Sequence, residues 1–569
     1  MNYRVVFLFL SAVAAFLGVA MCLCLPWGLE VLGGDWRWEA RGVEGLLKGA
    51  ATSFAAATAF YLSGRGADST RLYRKEAIAI VVFGWILAIL LGATPYLYGW
   101  AELRPGVPAT LADAIFESAS GLTTTGATVF AEVENPASLP QTILIWRFAT
   151  HFLGGLGVMC FFVALIGNGA NGKAIMKLER GASGNLPVAK MRELAFLLFK
   201  IYVVLNILCA ASLLCCGTSF LDAIAHSFST VATGGFSSRN ASVASFRGDP
   251  NVNGAAIEIV LLVFMIVSST NYALLYWAAL GKTKKLLQDT EWRTYMAILT
   301  LATVAVFAFG AAKGDFGFAS AKEVKDATIG EFAALDGNAG VAQNIEIGRL
   351  GQDRKDEQDG EDGEARENAT WLDALRTSAF CVVSLASGSG FATTRYELWN
   401  SASLCVLALV MFCGGCSAST AGGAKIYRIF LFGKAIAKGI ERTHSPNVVR
   451  ATRYNGENLE RDALNSVVLH LLTLLTLIVA TVLATLFLEP DAAWASARTP
   501  QIEKLTDLVG SALSMASNVG PAFGKMGALE NYGFLTAPTK LMYSCVMLVG
   551  RLEIWIILAI FAPGFWRNR

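Results

Sequence analysis

Long apolar stretches alternate with short polar ones along most of the chain, and the length of each stretch is the first clue to the architecture. A hydrocarbon core about 30 Å thick takes about 20 apolar residues in helical form. Ten stretches meet or approach that length, at about 5–27, 44–63, 76–99, 141–167, 194–217, 255–280, 294–312, 399–432, 463–488 and 538–562. The first is longer than the roughly 7–15-residue core of a secretory signal and is followed by further spans, so it reads as a membrane helix. Four shorter apolar segments, near 111–126, 221–234, 373–390 and 507–520, are too short to cross and run into Gly-rich or Thr-rich sequence. They read as re-entrant segments. The pattern breaks from about Gly314 to Asn368, where an acidic, glycine-spaced run from Asp353 to Glu364 predicts a flexible external insertion.

Charge adds the orientation. Basic residues crowd every second connection: Arg65, Arg71, Arg74 and Lys75; Lys173, Lys177, Arg180, Lys190 and Arg192; Lys282, Lys284 and Lys285; Lys434, Lys438, Arg442, Arg450 and Arg453; and finally Arg567 and Arg569. Cytoplasmic loops carry the excess of Lys and Arg, so these connections and both termini face the cytoplasm and all four short segments lie on the outer side. With 54% hydrophobic and 16% charged residues the chain falls well below the roughly 25% charge of a soluble domain. The net charge of +2 supplies no basic stripe for a nucleic-acid partner.

The four short segments repeat one device. Each opens near an aspartate (Asp113, Asp222, Asp373, Asp507) suited to cap a helix N-terminus. Each closes on a glycine-containing stretch: Thr124-Thr125-Gly126-Ala127, Ala232-Thr233-Gly234-Gly235, Gly388-Ser389-Gly390-Phe391 and Asn518-Val519-Gly520-Pro521. With Gly126, Gly234, Gly390 and Gly520 taken as central, the aspartate-to-glycine spacing is 13, 12, 17 and 13 residues. A short helix entering from outside turns its negative C-terminal end toward the membrane interior, where it favours a cation. The glycine stretch must then return in extended form, which is tolerated at that depth only along an enclosed or watery path. Rings of backbone carbonyls that replace a hydration shell are how potassium is selected, and none of the four stretches carries an acidic side chain.

Two further features stand out. Gly414, Gly415, Ser419, Thr420, Gly422, Gly423 and Lys425 belong to a stretch of small residues that interrupts the eighth span, where glycines at roughly 1 kcal/mol each relative to alanine predict an irregular loop. Arg551 lies in the middle of the last span; a centred arginine costs about 2.5–3.5 kcal/mol, so it faces the bundle interior or water. Glu553, two positions on, does not share its helix face. Eleven cysteines lie in or at the ends of apolar stretches and read as small buried side chains. Cys413-Gly414-Gly415-Cys416 has metal-site spacing, without a second cysteine pair or nearby histidine to complete a site. The four histidines are scattered, and no Ser/His/Asp or paired-carboxylate constellation points to an enzyme.

These motifs resemble the TrkH branch of the Trk/Ktr/HKT superfamily of potassium transporters. The resemblance is carried by Ser120 to Thr128, His226 to Phe236, Phe380 to Ala392 and Asn518 to Pro521, by His151 to Gly157 and Gly414 to Lys425, and by Gly550-Arg551-Leu552-Glu553. It covers about residues 75–565, and two extra N-terminal helices favour the TrkH branch. Gly388-Ser389 stands where the family usually shows a threonine pair, Ala418 where it usually shows glycine, and the 314–368 insertion is longer than expected. The resemblance implies an all-α membrane protein with four helix, pore-loop, helix repeats around a central pore: two N-terminal helices in 1–70, then repeats at 71–180, 181–288, 289–440 and 441–569. It implies potassium uptake across the bacterial cytoplasmic (inner) membrane, with the 414–425 loop and Arg551 below the filter as a gate. It further implies a homodimer in the lipid bilayer, regulated by a cytoplasmic nucleotide-binding, TrkA-like subunit, since this chain has no nucleotide loop of its own. An ion-coupled secondary transporter, moving potassium with a proton or sodium, remains the alternative.

Overall fold

The computed structural model describes residues 1–29, 35–66, 73–99, 101–166, 191–313, 315, 371–445, 452–455, 457–459, 461–495, 499–552 and 554–566. All of the expected insertion except Asp315 lies outside these residues, as do Glu553, residues 567–569 and most of the basic connection after the fourth span.

The molecule is built of helices: α1 (Tyr3–Cys24), α2 (Trp36–Gly64), α3 (Arg74–Gly92), α4 (Thr94–Tyr98), α5 (Leu111–Leu122), α6 (Gln141–Ile166), α7 (Met191–Cys215), α8 (Phe220–Val231), α9 (Gly254–Ser268) and α10 (Tyr272–Ala279) in the first half. The second half holds α11 (Thr283–Gln288), α12 (Thr290–Lys313), α13 (Trp371–Ser387), α14 (Ser401–Cys413), α15 (Ile426–His444), α16 (Arg461–Leu488), α17 (Pro500–Ser517), α18 (Ala537–Leu552), α19 (Ile554–Phe561) and α20 (Pro563–Trp566). Two small hairpins, β1 (Glu102–Arg104) with β2 (Val107–Pro108) and β3 (Thr452–Tyr454) with β4 (Glu457–Leu459), decorate the connections. Among the described residues five helices are long and apolar enough to cross a membrane, and two bent pairs bring the number to seven.

The four helices α5, α8, α13 and α17 occupy equivalent places. Each packs between two flanking helices: α5 between α3 and α6, α8 between α7 and α9, α13 between α12 and α14, α17 between α16 and α18. The second flanking helix of each set also packs on the central helix of the next: α6 on α8, α9 on α13, α14 on α17, and α18 back on α5. The four sets therefore close into a ring, and α1 and α2, packed on each other, lie against the first set through α3 and α6.

Three sequence expectations need correction. Hydroxyls, not the aspartates, cap α5 and α8: Thr110 and Ser219 accept from the backbone N–H groups of Asp113 and Asp222. Asp113 instead accepts the Thr110 N–H at 2.9 Å, completing a capping box. Asp373 sits in the first turn of α13 and pairs with Arg376, while Asp507 lies inside α17 and accepts from Trp494 Nε1 at 2.9 Å. The expected straight spans 255–280 and 538–562 are bent, by 106° between α9 and α10 and by 112° between α18 and α19. Arg551 is thus in the last turn of α18, just before a bend, not in the middle of a continuous helix. The bend at Ser269 has a physical cause: Asn271 caps a new helix by accepting from Ala273 N–H, and the freed carbonyls of Ser268 and Ser269 find donors in the 414–425 loop.

Candidate functional site: a ring of backbone and the loop beneath it

Each short helix ends in the same way. At each helix end one N–H bonds three residues back and the next bonds five back, which is the double closure of a Schellman ending. Thr124 bonds Gly121 and Thr125 bonds Ser120; Thr233 bonds Thr230 and Gly234 bonds Ser229; Gly388 bonds Leu385 and Ser389 bonds Ser384; Asn518 bonds Met515 and Val519 bonds Ser514. The residue in the left-handed conformation is Thr124 (φ 51°), Thr233 (φ 56°), Gly388 (φ 79°) or Asn518 (φ 53°). Gly388 therefore stands where glycine is the least strained residue.

Two residues further on, the backbone turns to positive φ again, at Gly126 (81°), Gly235 (81°), Gly390 (67°) and Gly520 (102°). The central glycine of the second stretch is thus Gly235, not Gly234 as expected from the sequence. Asp222 to Gly235 is 13 residues, the spacing of the first and fourth copies. Gly234 lies one place earlier, with its Cα against the His151 ring.

These four glycines interlock. A β-carbon on Gly126 would overlap the carbonyl oxygen of Gly234; one on Gly235, that of Ser389; one on Gly390, that of Val519; and one on Gly520, that of Thr125. The contacts run from first to second to third to fourth stretch and back to the first. Each oxygen belongs to the residue immediately before the next central glycine, so four equivalent carbonyls form a closed ring with no room for a side chain. Among the described residues the carbonyls of Thr125, Gly234, Ser389 and Val519 accept no hydrogen bond. Four unmet acceptors in one ring have the chemistry that a dehydrated cation requires of its ligands.

Side chains brace the ring from behind. Asn518 Nδ2 donates to Thr125 Oγ1 and to the Met547 carbonyl, each at 2.9 Å, and Thr123 and Thr125 share a hydroxyl bond of 2.7 Å. Thr233 Oγ1 donates to the Ala232 carbonyl at the end of α8, and the Ser387 hydroxyl donates to Ser389 Oγ. Phe391 stacks on His226, and Pro521 packs beside Gly390. Ala127 is buried directly after Gly126. One side of the ring opens into a pocket lined by all four central glycines with Phe236, Arg147, Asn240, Glu530 and Tyr532.

On the other side lies the 414–425 loop, an irregular segment as expected. Gly414 and Gly423 cross at its neck without room for side chains. Gly415 packs on Ser269, whose carbonyl accepts the Cys416 N–H at 2.9 Å. Ser417 donates to the buried Glu291 carboxylate through both its N–H (2.5 Å) and its hydroxyl (2.6 Å). Thr420 Oγ1 donates to the carbonyls of Val231 (3.1 Å) and Ser268 (3.2 Å), and Gly422 lies against the Ser517 carbonyl at the end of α17. Ser419 Oγ and Lys425 Nζ donate back to the loop carbonyls of Cys416 and Ala421. Arg551 reaches the loop directly, with Nη1 2.6 Å from the Thr420 carbonyl oxygen.

Several partners carried no obvious sequence signal. A serine six residues before each central glycine (Ser120, Ser229, Ser384, Ser514) supplies the carbonyl that closes the helix, and its recurrence fixes the second copy's alignment. His151 and His226 are structural, bonding Ser229 and Ser237 respectively. Among the described residues no group of three or more His, Cys, Asp or Glu is placed to hold a metal ion.

The class these features define is a polytopic membrane protein in which four helices, each held between two others, end in one backbone ring. The family model for TrkH, a cation transport protein, matches residues 46–312 and 370–567, and the chain belongs to that family of transporters, which are not enzymes. The Trk system potassium uptake protein TrkH of Halomonas elongata is 30% identical over 521 residues, 89% of each chain. The protein of the same name from Escherichia coli K12 is 28% identical over 508 residues, 88% of each chain. The crystal structure of the potassium transporter TrkH from Vibrio parahaemolyticus shares the fold, with a TM-score of 0.74 at 24% identity over 100% of both chains.

Proposed function

We propose that this chain takes up potassium through the glycine ring, which acts as a selectivity filter built from backbone carbonyls, and that the 414–425 loop with Arg551 gates the path beneath it. The observation that carries the reading is the closed circuit of four glycine–carbonyl contacts, whose oxygens are free of other donors. Dehydrated potassium needs such oxygens in place of water. The helix ends behind them add negative dipole ends at the same point. The filter comprises Thr124 to Ala127, Ala232 to Gly235, Gly388 to Phe391 and Asn518 to Pro521.

A passive pore accounts for the geometry better than ion-coupled alternating access, because the ring ties all four repeats together and leaves no half free to rock against the other. The proposed orientation has both termini in the cytoplasm of a bacterial cell and the chain in its inner membrane, with the ring near the outer face and the loop on the inner side; the basic connections support it. Repeats at 71–180, 181–288, 289–440 and 441–569 supply one quadrant each, and 1–70 adds two helices. The relatives' names place them in a Trk system, which supports further subunits; the proposed assembly is a dimer of this chain working with a TrkA-like nucleotide-binding subunit that holds any nucleotide. Expression in cells lacking their own potassium uptake systems tests the reading. Growth at low potassium and rubidium uptake should be restored by this chain with a regulatory partner, and failure of a correctly inserted chain to restore either would contradict it.

A further inference from the structure

The junction between the first and second stretches of the ring is held by a buried ion pair. Glu117, on α5, and Arg147, on α6, are both almost wholly buried, and Arg147 Nε donates to Glu117 Oε1 at 2.5 Å. Glu117 accepts from the Val129 N–H (3.0 Å) and from the Thr128 hydroxyl (3.0 and 3.2 Å), the two residues that follow Gly126-Ala127. Arg147 reaches the other way. Its Nη1 donates to the Ser237 carbonyl at 3.1 Å and its guanidinium lies 3.6 Å from the centre of the Phe236 ring, the two residues that follow Gly235. His151, one turn along α6, stacks on the same Phe236 ring at 4.1 Å. At other junctions neutral groups reach the filter backbone, such as Ser242 Oγ to the Ala392 N–H and the Tyr396 hydroxyl to the Ala522 carbonyl.

We infer that Glu117 and Arg147 are positioning residues for selectivity: a clamp that sets the separation of the first and second filter stretches and thereby the preference for potassium over sodium. The inference rests on the reading of the ring as a filter. Whether a carbonyl ring favours the larger ion by size or by field strength, both depend on oxygens held at a set spacing. A planar guanidinium can serve a carboxylate, a carbonyl and an aromatic face at once, which the ammonium of lysine cannot. Glu117 also cancels a positive charge that would otherwise stand at the mouth of the ring, since Arg147 lines the pocket there.

The test is separate potassium-driven and sodium-driven flux into vesicles holding the purified full-length chain, with folding checked by elution as a single species. Arg147→Lys, which keeps the charge and loses the fork, should lower the potassium-to-sodium flux ratio roughly tenfold, because lysine pairs with Glu117 without also holding the Ser237 carbonyl and the Phe236 ring. Glu117→Gln should lower the ratio and also the potassium flux, through the uncancelled charge. Thr128→Val removes the hydroxyl bonds to Glu117 together with the Phe130 N–H bond to the same hydroxyl, leaves the ion pair in place and, should the charge variants not fold, carries the test with a smaller fall in the ratio. Gly235→Ser is the reference for the filter itself. Folded clamp variants, or folded Thr128→Val alone, with the parent ratio while Gly235→Ser lowers it would overturn the clamp and leave the filter standing. If Gly235→Ser also keeps the ratio, the filter reading falls with it.

Discussion

Arg551 Nη1 donates to the main-chain carbonyl of Thr420 at 2.6 Å, joining the last turn of α18 to the middle of the 414–425 loop across 131 residues of sequence. Its Nε and Nη2 are buried and have no hydrogen-bond partner among the described residues. One arginine therefore both ties the loop in place and leaves much of its charge uncancelled below the ring. A hydrogen bond from a charged donor contributes about 1.5–3 kcal/mol, so its loss favours release of the loop by about tenfold or more.

Arg551→Ala should accordingly raise basal potassium flux, measured in vesicles without any partner, by about tenfold. Arg551→Lys should raise it less, because the charge remains. Equal behaviour of folded Ala and Lys variants and the parent would make the arginine a packing element.

Glu291 holds the same loop from the other side, through both the N–H and the hydroxyl of Ser417. Glutamine can accept from the N–H and donate to the hydroxyl, whereas alanine can do neither. Glu291→Ala is expected to increase basal flux several-fold and Glu291→Gln to stay near the parent, with ion preference unchanged in both, since the ring is not touched. Flux in the Ala variant no higher than in the Gln variant would show that Glu291 does not restrain the loop.

Ala418 occupies a left-handed conformation, φ 52°, in a loop position where a β-carbon is strained. Ala418→Gly should relieve about 1 kcal/mol of that strain, but it also loosens the unfolded chain, so the net effect on melting temperature is small. Its clear consequence is mobility: the glycine variant should show faster proteolysis or labelling within 414–425 and a higher basal flux. Labelling identical to the parent would mean the loop is held by its hydrogen bonds alone.

Much of this was legible in the sequence, because membrane depth imposes blunt rules. Apolar length located the helices, and four short segments ending in glycine located the ring. The cluster of small residues from Gly414 to Lys425 predicted the loop, since so many glycines cannot sustain a helix. The alignment of the second stretch was misplaced by one residue: Gly234 and Gly235 are adjacent, and the left-handed residue before them is a threonine, a type that gives no hint of positive φ. The 13-residue spacing from Asp222, which only Gly235 keeps, and the recurrent serine six residues upstream were the missed signals. The bend at Ser269 lies in the polar run Ser268 to Asn271 and the bend after Leu552 follows Arg551, but such residues mark a bend only once tertiary structure supplies partners: at Ser269 the freed carbonyls are satisfied by a loop about 150 residues away. Glu117 and Arg147, 30 residues apart on different helices, likewise look like isolated charges until α5 and α6 are packed together.

The central claim is that four interlocked glycines form a potassium-selective path, and the reversal potential of single-species vesicles or bilayers with potassium on one side and sodium on the other tests it most directly. The parent should reverse close to the potassium equilibrium potential, and Gly126→Ser, Gly235→Ser, Gly390→Ser and Gly520→Ser should each move the reversal toward zero, because each added side chain strikes the carbonyl of the neighbouring stretch. A parent that reverses near zero, or four folded variants that all reverse where the parent does, would contradict the account.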